Sequence, residues 1–223
     1  MPSFWHASQI EYPDGSYIVG STPPGISVYG SFATDKISIG ITTVHVDNSD
    51  IYEEKIEGDS YWFKGDLLPL IIREEVIQVK GKEPIKYEVH STHHGPIIGD
   101  YAVAFKALRN VPPLLPKGNF SLAWIGLNPE EDTSFETFIS FFVANNVFEI
   151  AETLVGVKMK ETNTKNEDII SPKGFTQSVV FADHEGNIGY TISGSLVKRS
   201  KEARSYGIHI SEGWTGDNEW EGV

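Results

Sequence analysis

From Val179 to Ile192 the chain reads as a β-hairpin, and a hairpin commits its surroundings to an antiparallel sheet. Val179, Val180 and Phe181 form a short apolar strand, and Ile188, Tyr190 and Ile192 alternate on a second. His184-Glu-Gly-Asn187 between them supplies the turn, because Gly and Asn accept the left-handed backbone that a tight connection demands. The first third of the chain follows the same pattern. Phe4–Ile10 and Tyr17–Gly20 flank the turn Tyr12-Pro-Asp-Gly15, Thr22-Pro-Pro-Gly25 breaks the chain again, and Ile26–Tyr29 resumes it. Lys36–Val44 alternates well enough for a buried strand, and Ile51–Ile56 follows the polar loop Asp47-Asn-Ser-Asp50.

Further along, Arg73–Lys80 alternates between an apolar and a charged face, Gly81-Lys-Glu-Pro84 turns, and Ile85–Ser91 pairs back. Pro112-Pro113 and Pro116-Lys-Gly118 punctuate a loop before the apolar strand Phe120–Gly126. Helix is expected only near 133–155, in two pieces. Thr133-Ser-Phe-Glu136 has the form of a capping box, and Asn146 is a good N-cap for the second piece. Phe135, Phe138, Phe142, Phe148, Ala151, Glu152 and Val155 lie near helical spacing, which predicts one mostly apolar face turned to a core. Lys158–Ser171 reads as a polar loop.

Composition excludes several functions. The formal charge of −13 argues against a nucleic-acid partner, since phosphate backbones are bound by clustered Lys and Arg. Lys198-Arg-Ser-Lys201 is too short to reverse that. Cys is absent, which removes disulfides, thiolate nucleophiles and Cys-ligated zinc. No stretch approaches the roughly 20 apolar residues that span a bilayer, so no membrane partner is expected. Met1-Pro-Ser-Phe-Trp-His6 carries neither a basic leader nor an apolar signal core. Compartment stays open.

Several separated segments resemble, in order, those of the penicillin acylase (penicillin amidase) family of N-terminal nucleophile hydrolases. They are Pro2-Ser-Phe-Trp-His-Ala7, Gly20-Ser-Thr-Pro-Pro-Gly25, Ile37–Val44 with Asp47-Asn-Ser-Asp-Ile-Tyr52, Trp62-Phe-Lys-Gly65, Arg73-Glu-Glu75 and Thr92-His-His-Gly-Pro-Ile97. Trp124-Ile-Gly-Leu127, the hairpin with its Ala182-Asp183 and Gly186-Asn-Ile-Gly-Tyr190, Gly213-Trp-Thr-Gly216 and Glu219-Trp220 complete the set. The resemblance implies an α+β fold, part of an αββα sandwich of mostly antiparallel strands. It implies a single partial domain over 1–223, lacking the N-terminal nucleophile segment and the C-terminal remainder. Family members are often exported.

In the family a Ser freed by self-cleavage attacks an amide carbonyl with its own α-amine as base, a group whose ordinary pKa lies near working pH. Ser3 matches a strand position rather than that nucleophile. The backbone N–H of Thr43 matches one oxyanion donor. Ser178 stands where the family has the other, a side-chain Asn, and reads equally as a plain strand residue. Arg199 matches an Arg that orients active-site groups, or is a surface charge. Asp47 and Asp50, with the Ser49 carbonyl, match part of a calcium site, or form a solvated turn; hard cations need more oxygens than these supply. His93 and His94 read as structural, since neighbours on a strand point to opposite faces and could not chelate one ion together. Glu74 and Glu75 diverge for the same reason.

The function implied is a segment of a hydrolase acting on linear, small-molecule amides, inactive as this chain alone and completed by a missing chain. The alternative is a non-catalytic binding or scaffold descendant. A third reading, an unrelated β-rich ligand-binding domain, would leave the ordered matches to chance. A partial sheet exposes an unpaired edge, so poor solubility or association is expected.

Overall fold

The hairpin forms, and the sheet it commits to has six strands. A computed structural model describes residues 4–26, 28–98, 117–127, 132–155, 176–199 and 209–222. Ser3, Pro112-Pro113 and the Lys158–Ser171 loop lie outside these. In chain order the first strands are β1 (His6–Glu11), β2 (Tyr17–Thr22), β3 (Ser31–Thr34), β4 (Ile37–Thr43), β5 (Ser49–Glu53) and β6 (Ile56–Glu57). Next come β7 (Ser60–Phe63), β8 (Asp66–Pro69), β9 (Ile71–Ile77), β10 (Ile85–Thr92), β11 (Gly95–Pro96) and β12 (Phe120–Trp124). Helices α1 (Ser134–Val143) and α2 (Val147–Val155) follow. The chain closes with β13 (Gln177–Asp183), β14 (Ile188–Ile192), β15 (Lys198–Arg199), β16 (Ser211–Glu212) and β17 (Trp220–Gly222).

Two compact units share the chain. The first comprises residues 1–46 and 128–196, the second 47–127 and 197–223. In the first, the sheet runs β1-β2-β3-β4-β13-β14, antiparallel at every pairing. Ile18, Phe32, Ile37, Ile39, Val179 and Phe181 project from one face into a core with Phe141, Ala144, Val147, Ile150 and Leu154.

The helical stripe is rotated from the expected one. Phe141 is buried and Phe138, Phe142 and Ala151 pack beside it, whereas Phe135 and Phe148 are exposed. Val155 lies outside the described side chains. Asn146 caps α2 as expected, its Oδ1 accepting from the Phe148 and Glu149 N–H groups at 3.0 Å each. At α1 the expected capping box does not form: the Thr133 side chain makes no capping hydrogen bond, and the Ser134 N–H donates to Asp132 Oδ1 at 2.8 Å.

The second strand of the hairpin forms as expected, with its alternating residues turned outward. Ile188, Tyr190 and Ile192 face away from the helices, with Ile188 84% exposed. The cause is the register: Phe181 pairs with Gly189, and its ring fills the space a side chain there would need. Gly186 carries the left-handed backbone, φ +88°. Asn187 serves the turn through its hydrogen bonds instead. β3 replaces the expected strand over Ile26–Tyr29, and β9 is exposed along its whole length.

The second unit consists of small sheets. β5 lies between β12, antiparallel, and β16, parallel. β9 and β10 pair as the expected hairpin, with β11 added to β10; β6-β7-β8 form a meander and β15 pairs with β17. Phe120 is buried against Ile51 and Ile98.

Candidate functional site

Of the residues matched to the oxyanion hole, one lies on β4 and the other on β13, which run side by side. Gln177 is opposite Thr43 and Ser178 opposite Thr42, so Thr43 and Ser178 occupy one end of adjacent strands. Cross-strand partners share a face, which puts Ser178 with Thr42, Gly40, Val180 and Tyr190, on the side turned away from the helices. Ser178 Oγ lies 3.3 Å from the Tyr190 hydroxyl. Ser38, Gly40, Val180, Ala182, Ile188 and Tyr190 line an open depression on that face. A backbone N–H and a hydroxyl at one strand end can both donate to a developing oxyanion, provided they converge on it.

Asp183, the acid of the hairpin motif, has a structural task. Its Oδ1 accepts from the N–H groups of Glu185 (3.1 Å) and Asn187 (2.9 Å). Its Oδ2 accepts from the Val147 N–H (3.2 Å) and Asn187 Nδ2 (3.0 Å). The carboxylate therefore closes the turn and holds the first residue of α2, where a negative charge is favoured. Burial pushes the Asp183 carboxyl up, and the hydrogen bonds from Asn187, Val147 and Glu185 outweigh it, leaving it below the usual carboxylate value.

In the second unit Asp47, Asp50 and Arg199 come together. Arg199 donates from Nε to Asp47 Oδ2 at 2.9 Å and from Nη2 to Asp47 Oδ1 at 2.7 Å, a bidentate pair. Its Nη1 donates to Asp50 Oδ2, which also accepts from Trp220 Nε1. Burial opposes the Arg199 charge, but the hydrogen bonds to Asp47 and Asp50 more than offset it, so the guanidinium is held protonated more firmly than usual. Ser49 begins β5 opposite Trp124. These residues, as they stand, do not fit a calcium ion. Three of the four carboxylate oxygens are engaged by Arg199 or Trp220, and only Asp50 Oδ1 is buried without a hydrogen-bond partner. The cation between the aspartates is the guanidinium.

His93 and His94 lie in the turn between β10 and β11, not on a strand, and their rings stand 3.8 Å apart. The expectation that they diverge is corrected. Gly95-Pro96 directly after them, with Gly95 at φ +139°, was the available sign of a turn. His94 Nε2 lies 2.9 Å from Glu219 Oε1, and its Nδ1 lies 2.8 Å from Glu54 Oε1. His93 Nε2 lies 3.3 Å from Glu219 Oε2. The Tyr52 ring stacks on His94 at 3.8 Å, 5° from parallel. Burial raises the Glu219 carboxyl, but hydrogen bonds from His93 and His94 overcome this and draw it down to about 2. Burial works against the His94 imidazolium, and its bonds to Glu219 and Glu54 raise its pKa despite that. Glu54 carried no distinct signal in the sequence, and Glu219 and Trp220 stood out only as part of the ordered resemblance, because their partners are far away along the chain. Glu74 and Glu75 pair with Lys86 (3.0 Å) and Arg73 (3.2 Å) at the surface.

The family model for penicillin amidase matches residues 1–223. The acyl-homoserine lactone acylase QuiP of Pseudomonas aeruginosa is 28% identical over 227 residues, covering 100% of this chain and 24% of that protein. The penicillin acylase 2 proenzyme of Pseudomonas sp. strain SE83 is 24% identical over 208 residues, covering 92% of this chain and 23% of its own length. A thermostable penicillin G acylase from Alcaligenes faecalis superposes with a TM-score of 0.72 at 23% identity, covering 100% of this chain and 35% of that one. The last likeness is one of fold. The chain spans about a quarter of the length of these curated relatives.

Proposed function

Because this chain belongs to the penicillin amidase family, we propose that it is a segment of a hydrolase that cleaves linear amide bonds of small molecules. In this reading a Ser hydroxyl adds to the amide carbonyl while an α-amine takes its proton. The proton passes to the departing amine, and water then releases the acid from the acyl-enzyme. In this reading no Ser of these 223 residues is assigned as that nucleophile. This chain's part is to receive the carbonyl oxygen as it becomes negative. The pairing of β4 with β13 supports this reading, since Thr43 and Ser178 stand at the same end of the two neighbouring strands. The acyl group would be released from an amine such as a β-lactam nucleus or a homoserine lactone, as the names of the relatives suggest.

The test is amide turnover by the protein that holds this chain together with its nucleophile. Ser178→Ala is expected to lower kcat by about 10²–10³, the usual loss of one oxyanion donor, while Ser178→Asn retains or raises it. The 223 residues alone are expected to turn over nothing. Unchanged kcat in Ser178→Ala would overturn the assignment of Ser178. A second reading, a non-catalytic binding descendant, is favoured by the Ser itself, whose hydroxyl lies against Tyr190. Binding of an acyl amide without turnover, in the protein and in Ser178→Asn alike, would decide for it.

A further inference from the structure

We propose that His93, His94 and Glu219 form a binding site for one divalent transition-metal ion, of which zinc is the best-fitting class. The inference is independent of the amidase reading. Both imidazoles present Nε2 to the same carboxylate, at 2.9 Å from His94 and 3.3 Å from His93. One atom from each of the three lies within 4.8 Å of the others. Tetrahedral zinc with ligands at about 2.0–2.1 Å needs those atoms roughly 3.3 Å apart, so modest side-chain closure completes the geometry.

The surroundings are those a metal ligand requires. A ligating His holds its other ring nitrogen as an N–H donor to a second group, which frees the first lone pair for the ion. His94 has Glu54 for this at 2.8 Å, and Glu54 Oε1 is fixed by Ser121 Oγ at 2.6 Å and Thr92 Oγ1 at 2.8 Å. His93 Nδ1 has the Tyr61 hydroxyl at 3.0 Å. Tyr52 against His94 and Phe63 against His93 hold the rings in place. His94 is 4% exposed, but His93 and Glu219 are about one-third exposed, which leaves a wet side for a water ligand. Two imidazole nitrogens and one carboxylate suit zinc and its neighbours, whereas calcium and magnesium take oxygen sets. Bound metal would tie the β10–β11 turn to the segment before β17.

The experiment is calorimetric titration of EDTA-treated, dialysed protein with ZnCl2, with Co2+ absorption as a second readout. One zinc per chain, with Kd in the micromolar range or below, and visible Co2+ bands of low-symmetry coordination are expected. Glu219→Gln and His93→Gln should each weaken binding at least ten-fold, with circular dichroism unchanged. His90→Gln, a neighbouring surface His, should leave it intact. Absence of zinc uptake at a ten-fold excess over micromolar protein overturns the proposal, as does affinity unchanged in both variants. If a variant fails to fold, the wild-type Co2+ spectrum decides: imidazole-ligated bands support the site, and an aquo-ion spectrum refutes it.

Discussion

Arg199 meets two carboxylates with its side chain 7% exposed, and Asp50, one of the two, is fully enclosed. Removing one member of such a buried pair leaves the other charged and desolvated, a loss of about 3–5 kcal/mol. Arg199→Met is expected to lose that much in urea unfolding. Asp47→Asn should lose under about 1 kcal/mol, because Asp47 is 41% exposed and water screens it. Calcium chloride should leave the melting temperature unchanged, since the guanidinium already serves both aspartates; a rise reversed by EGTA would show that calcium displaces it. Asp183 predicts a pH dependence. Its carboxyl is depressed in the fold, so its contribution is present above the ordinary value of 3.8 and is lost as pH falls through the lower folded value. Asp183→Asn should flatten the melting-temperature profile below pH 4. Asp47, Asp50 and Arg199 could each be singled out from motifs, but their meeting could not: 149 positions separate Arg199 from Asp50 along the chain. For His93 and His94 the alternation of a strand does not hold, because they lie in a turn.

At the scale of elements, local chemistry was the readable part. The Tyr12–Gly15 turn, the β9–β10 pairing and the cap at Asn146 all follow from residues within a few positions of one another. Glu149 completes the α2 cap by accepting from the Asn145 N–H at 2.8 Å. Asn146→Ala should therefore destabilise by about 1 kcal/mol and Asn146→Ser by far less, as read by chemical denaturation. What alternation could not say is which face of β14 is buried. A strand of period two offers both faces equally, and the Phe181–Gly189 register makes the choice from outside the strand. The rotated stripe on α1 has a similar cause. Phe141 is selected over Phe135 by the sheet beneath it, which the spacing of the phenylalanines does not contain.

Across the whole molecule, apolar surface remains open on the six-stranded sheet. Val180 (53%), Tyr190 (63%) and Ile188 (84%) lie on the face away from the helices, and β14 is an outer strand. Patches and edges of this kind favour association. Light scattering is expected to show species larger than a monomer at micromolar concentration, and Ile188→Lys with Tyr190→Lys should shift them towards the monomer. A monodisperse wild-type monomer at high concentration would refute this. The interleaving of the two units bears on time rather than energy. β16 joins β5 in parallel, and Trp220 and Glu219 reach Asp50 and His94 from the far end of the chain. Pairings between such distant positions form slowly. On the ribosome, Asp50 on β5 must wait for about 150 further residues before Arg199 reaches it, so the second unit closes after the β4–β13 pairing of the first.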